Sequence, residues 1–442
     1  LSAVLWGNPA PAADPPTPED RFAASVLLLS GHQREKAGDL EAALKDFNDA
    51  VRLNPQSDSA YRVRGEVWLK KGNLDRALAD LTRSIELNPQ SGPAALAFSA
   101  RGRVWVERKD DSRALADFDE AVRLSPQSAF FYFYRAGCSI RRGDTARADA
   151  DLTRYVTMQP DDPEGYFRRG QVRLAAREHH RSTFDFDEAI RLKPDHADAY
   201  YARGCARSRI REYDRAIADL TEAVRLRPKL TAAYLERAAV YQKRGNTGRV
   251  IEDYTEATRA DPNCHEAYHM RAWLRATNPD AAVRDGALAA ADARRACELT
   301  HWGNGDYIDT LAAAEAECGR FAEAIRYENQ ALGISEYAKS PQGQDARVRL
   351  KLYQEGKAYR EGAAAEYPAA AGGAEAVAKT TLQARLVIGL AAGAGLLFGG
   401  FFFYRLGLFG IFRPSRPAGP LEAAAEPPPD DPDACPTTQN PA

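Results

Sequence analysis

The stretch Tyr61–Pro89, YRVRGEVWLKKGNLDRALADLTRSIELNP, decides how this chain folds. Tyr61, Gly65, Trp68 and Leu69 recur at the spacing that puts side chains on one face of an α-helix. Gly72-Asn73 then breaks the run. Leu74, Ala77, Leu78, Leu81 and Ile85 form a second apolar stripe with a period near 3.6 residues, and Pro89 ends it. Two antiparallel helices joined by a tight turn satisfy this pattern. Gly65 has a packing role in such a hairpin, because a side chain there would hold the helices apart.

The same unit recurs along the chain. Pro55, Pro89, Pro126, Pro160, Pro194, Pro228 and Pro262 are separated by 34, 37, 34, 34, 34 and 34 residues. Similar phrases precede several of them, such as Ala50-Val51-Arg52-Leu53-Asn54 and Ala223-Val224-Arg225-Leu226-Arg227. Gly102, Gly170 and Gly204 repeat the place of Gly65, with Ala136, Ala238 and Ala272 as the next smallest choice. An aromatic stands four residues before each: Tyr61, Phe98, Tyr132, Tyr166, Tyr200, Tyr234 and Tyr268. It is expected to fill the crevice beside the close approach. A fixed period of this length is the signature of a solenoid, in which each unit buries its apolar face only against its neighbours.

Tyr61-x-x-Arg64-Gly65-x-x-Trp68, Ala77-x-x-x-Leu81 and Pro89 resemble the tetratricopeptide repeat, except that Arg64 stands where the pattern has Leu. Phe98-x-x-Arg101-Gly102-x-x-Trp105, Ala114-x-x-x-Phe118 and Pro126 do the same. The first unit, from about Ala24 to Pro55, is atypical, with Leu27 in place of the aromatic, as a capping repeat would be. After Pro262, residues Asn278–Gly286 lengthen a turn, and Ala272–Thr277 with Ala296–Thr300 looks like a variant unit of many bacterial relatives. The resemblance, to a bacterial membrane-anchored type, implies an all-α fold. That fold is an α-solenoid of about nine helix-turn-helix units over residues 22–337, plus one C-terminal transmembrane helix. Residues 338–385 read as a capping helix, Asp345–Tyr353, and a linker.

Two charge rows run through the repeat. Arg64, Arg101, Arg135, Arg169, Arg203, Arg237 and Arg271 share one position, just before the small residue. Asp46, Asp80, Asp117, Asp151, Asp185, Asp219, Asp253 and Asp292 share another, in the second helix. The arginines form either a row that grips an anionic ligand or one half of an internal ladder with the aspartates. Matched recurrence of both signs favours the ladder, since a planar guanidinium forks onto a carboxylate and a stranded buried charge is costly. Asp117-Phe118-Asp119-Glu120 and Asp185-Phe186-Asp187-Glu188 read as a solvated face around core Phe118 and Phe186, not as a metal site, because i and i+2 diverge on a helix.

Outside the repeat lie two exceptional segments. Residues 386–404, LVIGLAAGAGLLFGGFFFY, carry no charge over 19 residues and would reach about 28 Å as a helix, enough to cross a bilayer. Arg385 and Arg405 bracket it, and Phe401, Phe402, Phe403 and Tyr404 suit an aromatic belt. Residues 1–21 read as a signal-peptide remnant around Ala10-Pro11-Ala12 and a Pro-rich spacer, and 405–442 as a disordered Pro-rich tail. Three arginines after the span against two basic residues before it favour an extracytoplasmic repeat region and a cytoplasmic tail.

Composition narrows the function. The 442 residues balance 60 Lys+Arg against 62 Asp+Glu, so no nucleic-acid partner is expected. Six cysteines cannot form a disulfide framework; Cys138, Cys205, Cys297 and Cys318 read as small apolar side chains within helices. No phosphate loop, Gly-x-Ser-x-Gly, His-Glu-x-x-His or Cys-x-x-Cys is present. His265 and His269 are four apart beside Cys264 but lack further ligands, and His179-His180 reads as part of a solvated turn. No cofactor, no metal and no enzymatic activity are expected.

The resemblance implies that first helices line a concave face that holds a partner's peptide or helix. Carried over, the lining would include Arg62, Glu66, Lys70 and Arg103, then Phe133, Arg141, Phe167 and Gln171, then Tyr201, Arg209, Gln242, Lys243, His269 and Trp273. Central aromatics among basic residues suit a peptide with apolar anchors and acidic character. The expected function is a membrane-anchored scaffold for a protein or peptide partner, with the bilayer contacted through 386–404. A second reading is a self-assembling homo-oligomer associating through Gly389-x-x-x-Gly393 and Gly395-x-x-x-Gly399. A third is an enzyme whose site lacks a known signature.

Overall fold

The computed structural model describes residues 15–362 apart from Ser91, and every regular element among them is an α-helix. Nine hairpins follow one another. They are α1–α2 (Pro18–Lys36, Leu40–Leu53), α3–α4 (Asp58–Lys70, Leu74–Leu87), α5–α6 (Gly92–Glu107, Asp111–Leu124), α7–α8 (Ala129–Arg141, Thr145–Met158) and α9–α10 (Pro163–Ala175, His179–Leu192). Then come α11–α12 (Ala197–Arg209, Tyr213–Leu226), α13–α14 (Thr231–Lys243, Thr247–Ala260), α15–α16 (His265–Thr277, Gly286–Leu299) and α17–α18 (Gly305–Glu317, Phe321–Leu332). The short α19 (Ser335–Lys339) and α20 (Pro341–Gln354) close the described chain.

Local chemistry fixes each hairpin. In every hairpin but α15–α16 the turn between the helices uses one residue at positive φ, as at Gly72 (φ 74°) and Gly143 (φ 77°), but also at Lys109 (φ 61°), Arg177 (φ 63°) and Arg211 (φ 64°). Glycine adopts that conformation without strain, whereas a side chain costs roughly 1–2 kcal/mol there. Asn73, Asp110 and Asp144 follow at once and cap the second helix, each side chain accepting from the backbone N–H three residues on. The recurring prolines stand in the turns between units, just past the second helices.

Packing follows the repeat. Ala77 and Leu81 of α4 are buried against α3, and a Cβ built on Gly65 would lie 2.8 Å from Leu81 Cγ. At Gly170 the same Cβ would lie 2.6 Å from Phe186 Cε1, whose ring is wholly buried. The glycine therefore makes room for a core side chain of the facing helix. Each second helix packs on the first helix of the next unit, and first helices also approach one another, as α3 does α5, α9 does α11 and α15 does α17. First helices of successive units thus touch one another as well as the second helices beside them.

The ends differ from the interior. Among the described residues no unit precedes α1, and Phe22, Val26 and Leu29 on it are exposed. It starts at Pro18, four residues before Phe22, because Thr17 and Asp20 form a reciprocal capping box. At the other end α20 packs on α18 and α17 where a tenth first helix would stand. The expected transmembrane segment 386–404, residues 1–14 and the tail 405–442 lie outside the described residues. Among the described residues no helix is long and apolar enough to cross a membrane.

Candidate partner-binding groove

The recurring arginines and aspartates meet within each unit. Arg64 Nε and Nη2 donate to Asp80 Oδ2 and Oδ1 at 2.8 and 2.7 Å, a two-pronged pair. Arg101–Asp117, Arg135–Asp151, Arg203–Asp219 and Arg237–Asp253 repeat it, each with one hydrogen bond of 2.6–2.8 Å from Nη2. Arg169–Asp185 and Arg271–Asp292 follow, both at 2.7 Å. In the first unit Arg34 reaches Asp46 at 2.7 Å from one turn further along its helix. Burial pushes the carboxyls of Asp117, Asp185, Asp219 and Asp253 above the ordinary carboxylate range despite these partners. Pairs of this kind add little net stability over an apolar pair, yet removing one member is destabilising.

The third guanidinium nitrogen reaches the preceding unit. Nη1 of Arg64, Arg101, Arg135 and Arg169 donates to Asn48, Thr82, Asp119 and Thr153. Nη1 of Arg203, Arg237 and Arg271 donates to Asp187, Thr221 and Thr255. Each guanidinium also lies over its own unit's aromatic, 5.4 Å from the Tyr61 ring centroid and 5.3 Å from that of Tyr200. Asp119 and Asp187, read from the sequence as parts of a solvated face, are inter-unit acceptors instead. Among the described residues no group of carboxylates, histidines or cysteines could hold a metal ion.

The residues carried over to the concave face divide by partner. Arg62 pairs with Glu66 at 2.6 Å, Lys70 with Glu35 at 2.5 Å and Arg141 with Asp111 at 2.6 Å. Arg103 stacks over the Tyr134 ring at 5.7 Å. Phe133 packs on Tyr155 with centroids 4.9 Å apart. Phe167 is buried against Phe186 and His196 and offers a ligand almost no surface, a correction to its carried-over place in the groove. Gln171 and Tyr201 are half-buried; Arg209, Gln242 and Lys243 are exposed. His269 stacks on Tyr307 at 4.4 Å, and burial pulls its imidazole down to about 4. His265 is hydrogen-bonded to the Tyr307 hydroxyl at 2.8 Å. His179 and His180 open α10 and so belong to a helix, not to the turn before it. Cys138, Cys205 and Cys297 are buried, and burial raises their thiols well out of the reactive range.

Trp273 is half-buried, and part of its cover comes from chain beyond the last hairpin. Beyond α20 the chain turns back across the first helices. Trp273 Nε1 donates to Glu361 Oε2 at 3.2 Å, and the Glu361 N–H donates to the Thr277 carbonyl at 2.8 Å. Tyr359 lies 6.0 Å from the Trp273 ring. Arg349 lies against both rings, 5.4 Å from the Trp273 centroid and 5.5 Å from that of Tyr359, while its Nε and Nη2 fork onto Asp309 at 2.8 and 2.9 Å. Glu328 lies wholly buried beside this pair, and burial pushes its carboxyl well above the ordinary carboxylate range.

Comparison with known proteins places the repeat. Two family models described as "Tetratricopeptide repeat" match, one over residues 28–92 and 76–129 and the other over 197–230. The chain is similar to YrrB, whose structure is described as "a TPR protein with an unusual peptide-binding site". Identity there is 22%, with 45% of this chain and 97% of that one covered, at a TM-score of 0.40. It is also similar to PilF of Pseudomonas aeruginosa, at 18% identity over 49% of this chain and 96% of that one, with a TM-score of 0.42. For the C-terminal part of a TPR repeat-containing protein of Cytophaga hutchinsonii the values are 16%, 56%, 97% and 0.46. No curated protein matches the chain.

Proposed function

We propose that this chain, which belongs to the tetratricopeptide repeat family, is a membrane-tethered scaffold that holds an extended segment of a partner protein on its concave face. Repeat proteins of this family are generally interaction modules and not enzymes. One observation carries the reading. The arginines that recur in every unit are consumed by internal aspartates, whereas Arg209 and Lys243, at matching places on α11 and α13, are exposed. They give the middle of the groove a basic character that suits acidic groups on a peptide. The half-buried Gln171 and Tyr201 lie two units and one unit before Lys243 and supply polar and aromatic contacts. The tether is the apolar stretch 386–404, with the repeat region outside the cytoplasm, a reading that rests on sequence alone.

The test is a double charge reversal, Arg209→Glu with Lys243→Glu, in the full chain reconstituted in membranes. Arg141 is unsuitable because its reversal would also break the Asp111 pair. Proteins captured by the wild type from its own membranes should be lost from the variant while its circular dichroism and melting temperature stay unchanged. Identical capture by both would overturn the groove reading. Protease accessibility of residues 22–362 in sealed vesicles checks the orientation.

A further inference from the structure

We propose that Tyr359–Glu361 is an internal ligand of the groove, closing its C-terminal end until a partner segment of the same chemistry displaces it. This deepens the scaffold reading and rests on it. The segment is held as a peptide would be. Glu361 makes one main-chain hydrogen bond, its N–H to the Thr277 carbonyl at 2.8 Å, and one side-chain bond, accepting from Trp273 Nε1 at 3.2 Å. Arg360 pairs with Glu317 at 2.6 Å. Tyr359 covers the Trp273–Arg349 stack. The backbone over residues 357–360 has no regular structure, and the segment reaches residues of both first helices α15 and α17.

The location matters as much as the contacts. Trp273 occupies on α15 the place that Cys205 holds on α11 and Ala239 on α13, so two units with small side chains at this position give way to an indole. Thr277 is the last residue of α15, and its carbonyl is one of those a helix end leaves without an intrahelical partner. A carbonyl acceptor, an indole N–H donor beside Arg349, and the Glu317 carboxylate form one continuous site. Its complement is an aromatic–basic–acidic tripeptide.

The segment follows α20 by only a few residues, so its effective concentration at the site is on the order of millimolar or higher. A partner peptide must outcompete it, and weakening the internal contacts should open the site. The experiment uses the full chain and a fluorescein-labelled synthetic peptide with the sequence of residues 354–362. Binding is read by fluorescence anisotropy. The double variant Tyr359→Ala/Glu361→Ala should bind the peptide at least about tenfold more tightly than wild type. Adding Trp273→Ala to that variant should abolish the gain. A second opening variant, Arg360→Glu, places like charge against Glu317 without touching the core, and should show the same gain. Circular dichroism checks that each variant keeps its helix content. Equal or undetectable binding in wild type and both opened variants would overturn the proposal. Because the probe is the chain's own sequence and Arg209 and Lys243 are untouched, this outcome is separable from failure of the scaffold reading.

Discussion

Replacing Arg237 by Met tests the physical account of the repeated pairs. Arg237 is 14% exposed and its partner Asp253 is 4% exposed. Among the described residues Arg237 is the cation hydrogen-bonded to Asp253, through Nε and Nη2, while Nη1 reaches Thr221 of the preceding unit. Methionine keeps most of the apolar stem over Tyr234 and strands the carboxylate. A stranded carboxylate need not stay charged. It can take a proton at a cost set by the distance between the pH and its ordinary pKa, about 4 kcal/mol at pH 7 and about 1.5 kcal/mol at pH 5. That caps the electrostatic loss. The lost hydrogen bond to Thr221 adds about 1 kcal/mol at either pH. The sign is that of an acid whose folded-state pKa has risen: the penalty is full above that pKa and fades as the pH falls towards the unfolded value. Arg237→Met should therefore lose about 4–5 kcal/mol at pH 7 and about 2 kcal/mol at pH 5. Asp219 provides an internal control, since Arg207 reaches it at 2.8 Å as well as Arg203. Arg203→Met should lose roughly half as much. Urea unfolding followed by circular dichroism gives the total, and hydrogen exchange over α13–α14 shows whether the loss is local, as expected in a solenoid. A loss under about 1 kcal/mol at pH 7, or the same loss at both pH values, would refute the reasoning.

Two smaller perturbations follow from single sites. Gly170→Ala drives a methyl into the Phe186 ring and should destabilise by about 1–2 kcal/mol after allowing for alanine's helix preference, whereas Gly248→Ala, where the nearest atom is 4.0 Å away, should be neutral or slightly stabilising in the same urea titration. His269, held down to about 4, remains neutral while the unfolded chain protonates near 6.5, so stability present above pH 6.5 should drain away as the pH falls through 4. The full shift corresponds to about 3 kcal/mol, and the ring's partial exposure reduces this to about half. Melting curves of His269→Phe against wild type at pH 7 and pH 4.5 should converge on a smaller acid sensitivity for the variant.

The repeat was legible because its grammar is covalent and local. Proline and glycine punctuate the turns whatever surrounds them, and Gly65 with Leu81 announces a close approach through spacing alone. The pairing of Arg64 with Asp80 was readable too, since both signs recur in register. The second acceptor was harder to see. Asn48, Thr82, Asp119, Thr153, Asp187, Thr221 and Thr255 share one repeat position two residues after the aspartate, but their chemistry varies and only the property of accepting a hydrogen bond is common. Aligning units by that property would have found it. Phe167 shows a different limit: its place on a first helix reads as groove, yet the His196 ring on the following unit covers it, and neither helix alone reveals this. Nor does any periodicity mark Tyr359–Glu361, because the segment lies beyond the last unit and Trp273 is 88 residues from Glu361 in sequence.

The arginine that touches two units at once also determines how the molecule answers force. Lengthening, flattening or overwinding the coil must separate Nη1 of Arg135 or Arg203 from a carboxylate on the neighbouring turn. Turns that lean on a threonine hydroxyl instead, as at Arg101, Arg169 and Arg237, have weaker clips. Compliance is thus graded along the rod, and a partner tugging on it would stretch the hydroxyl-clipped joints first while those fastened by Asp119 and Asp187 kept their pitch.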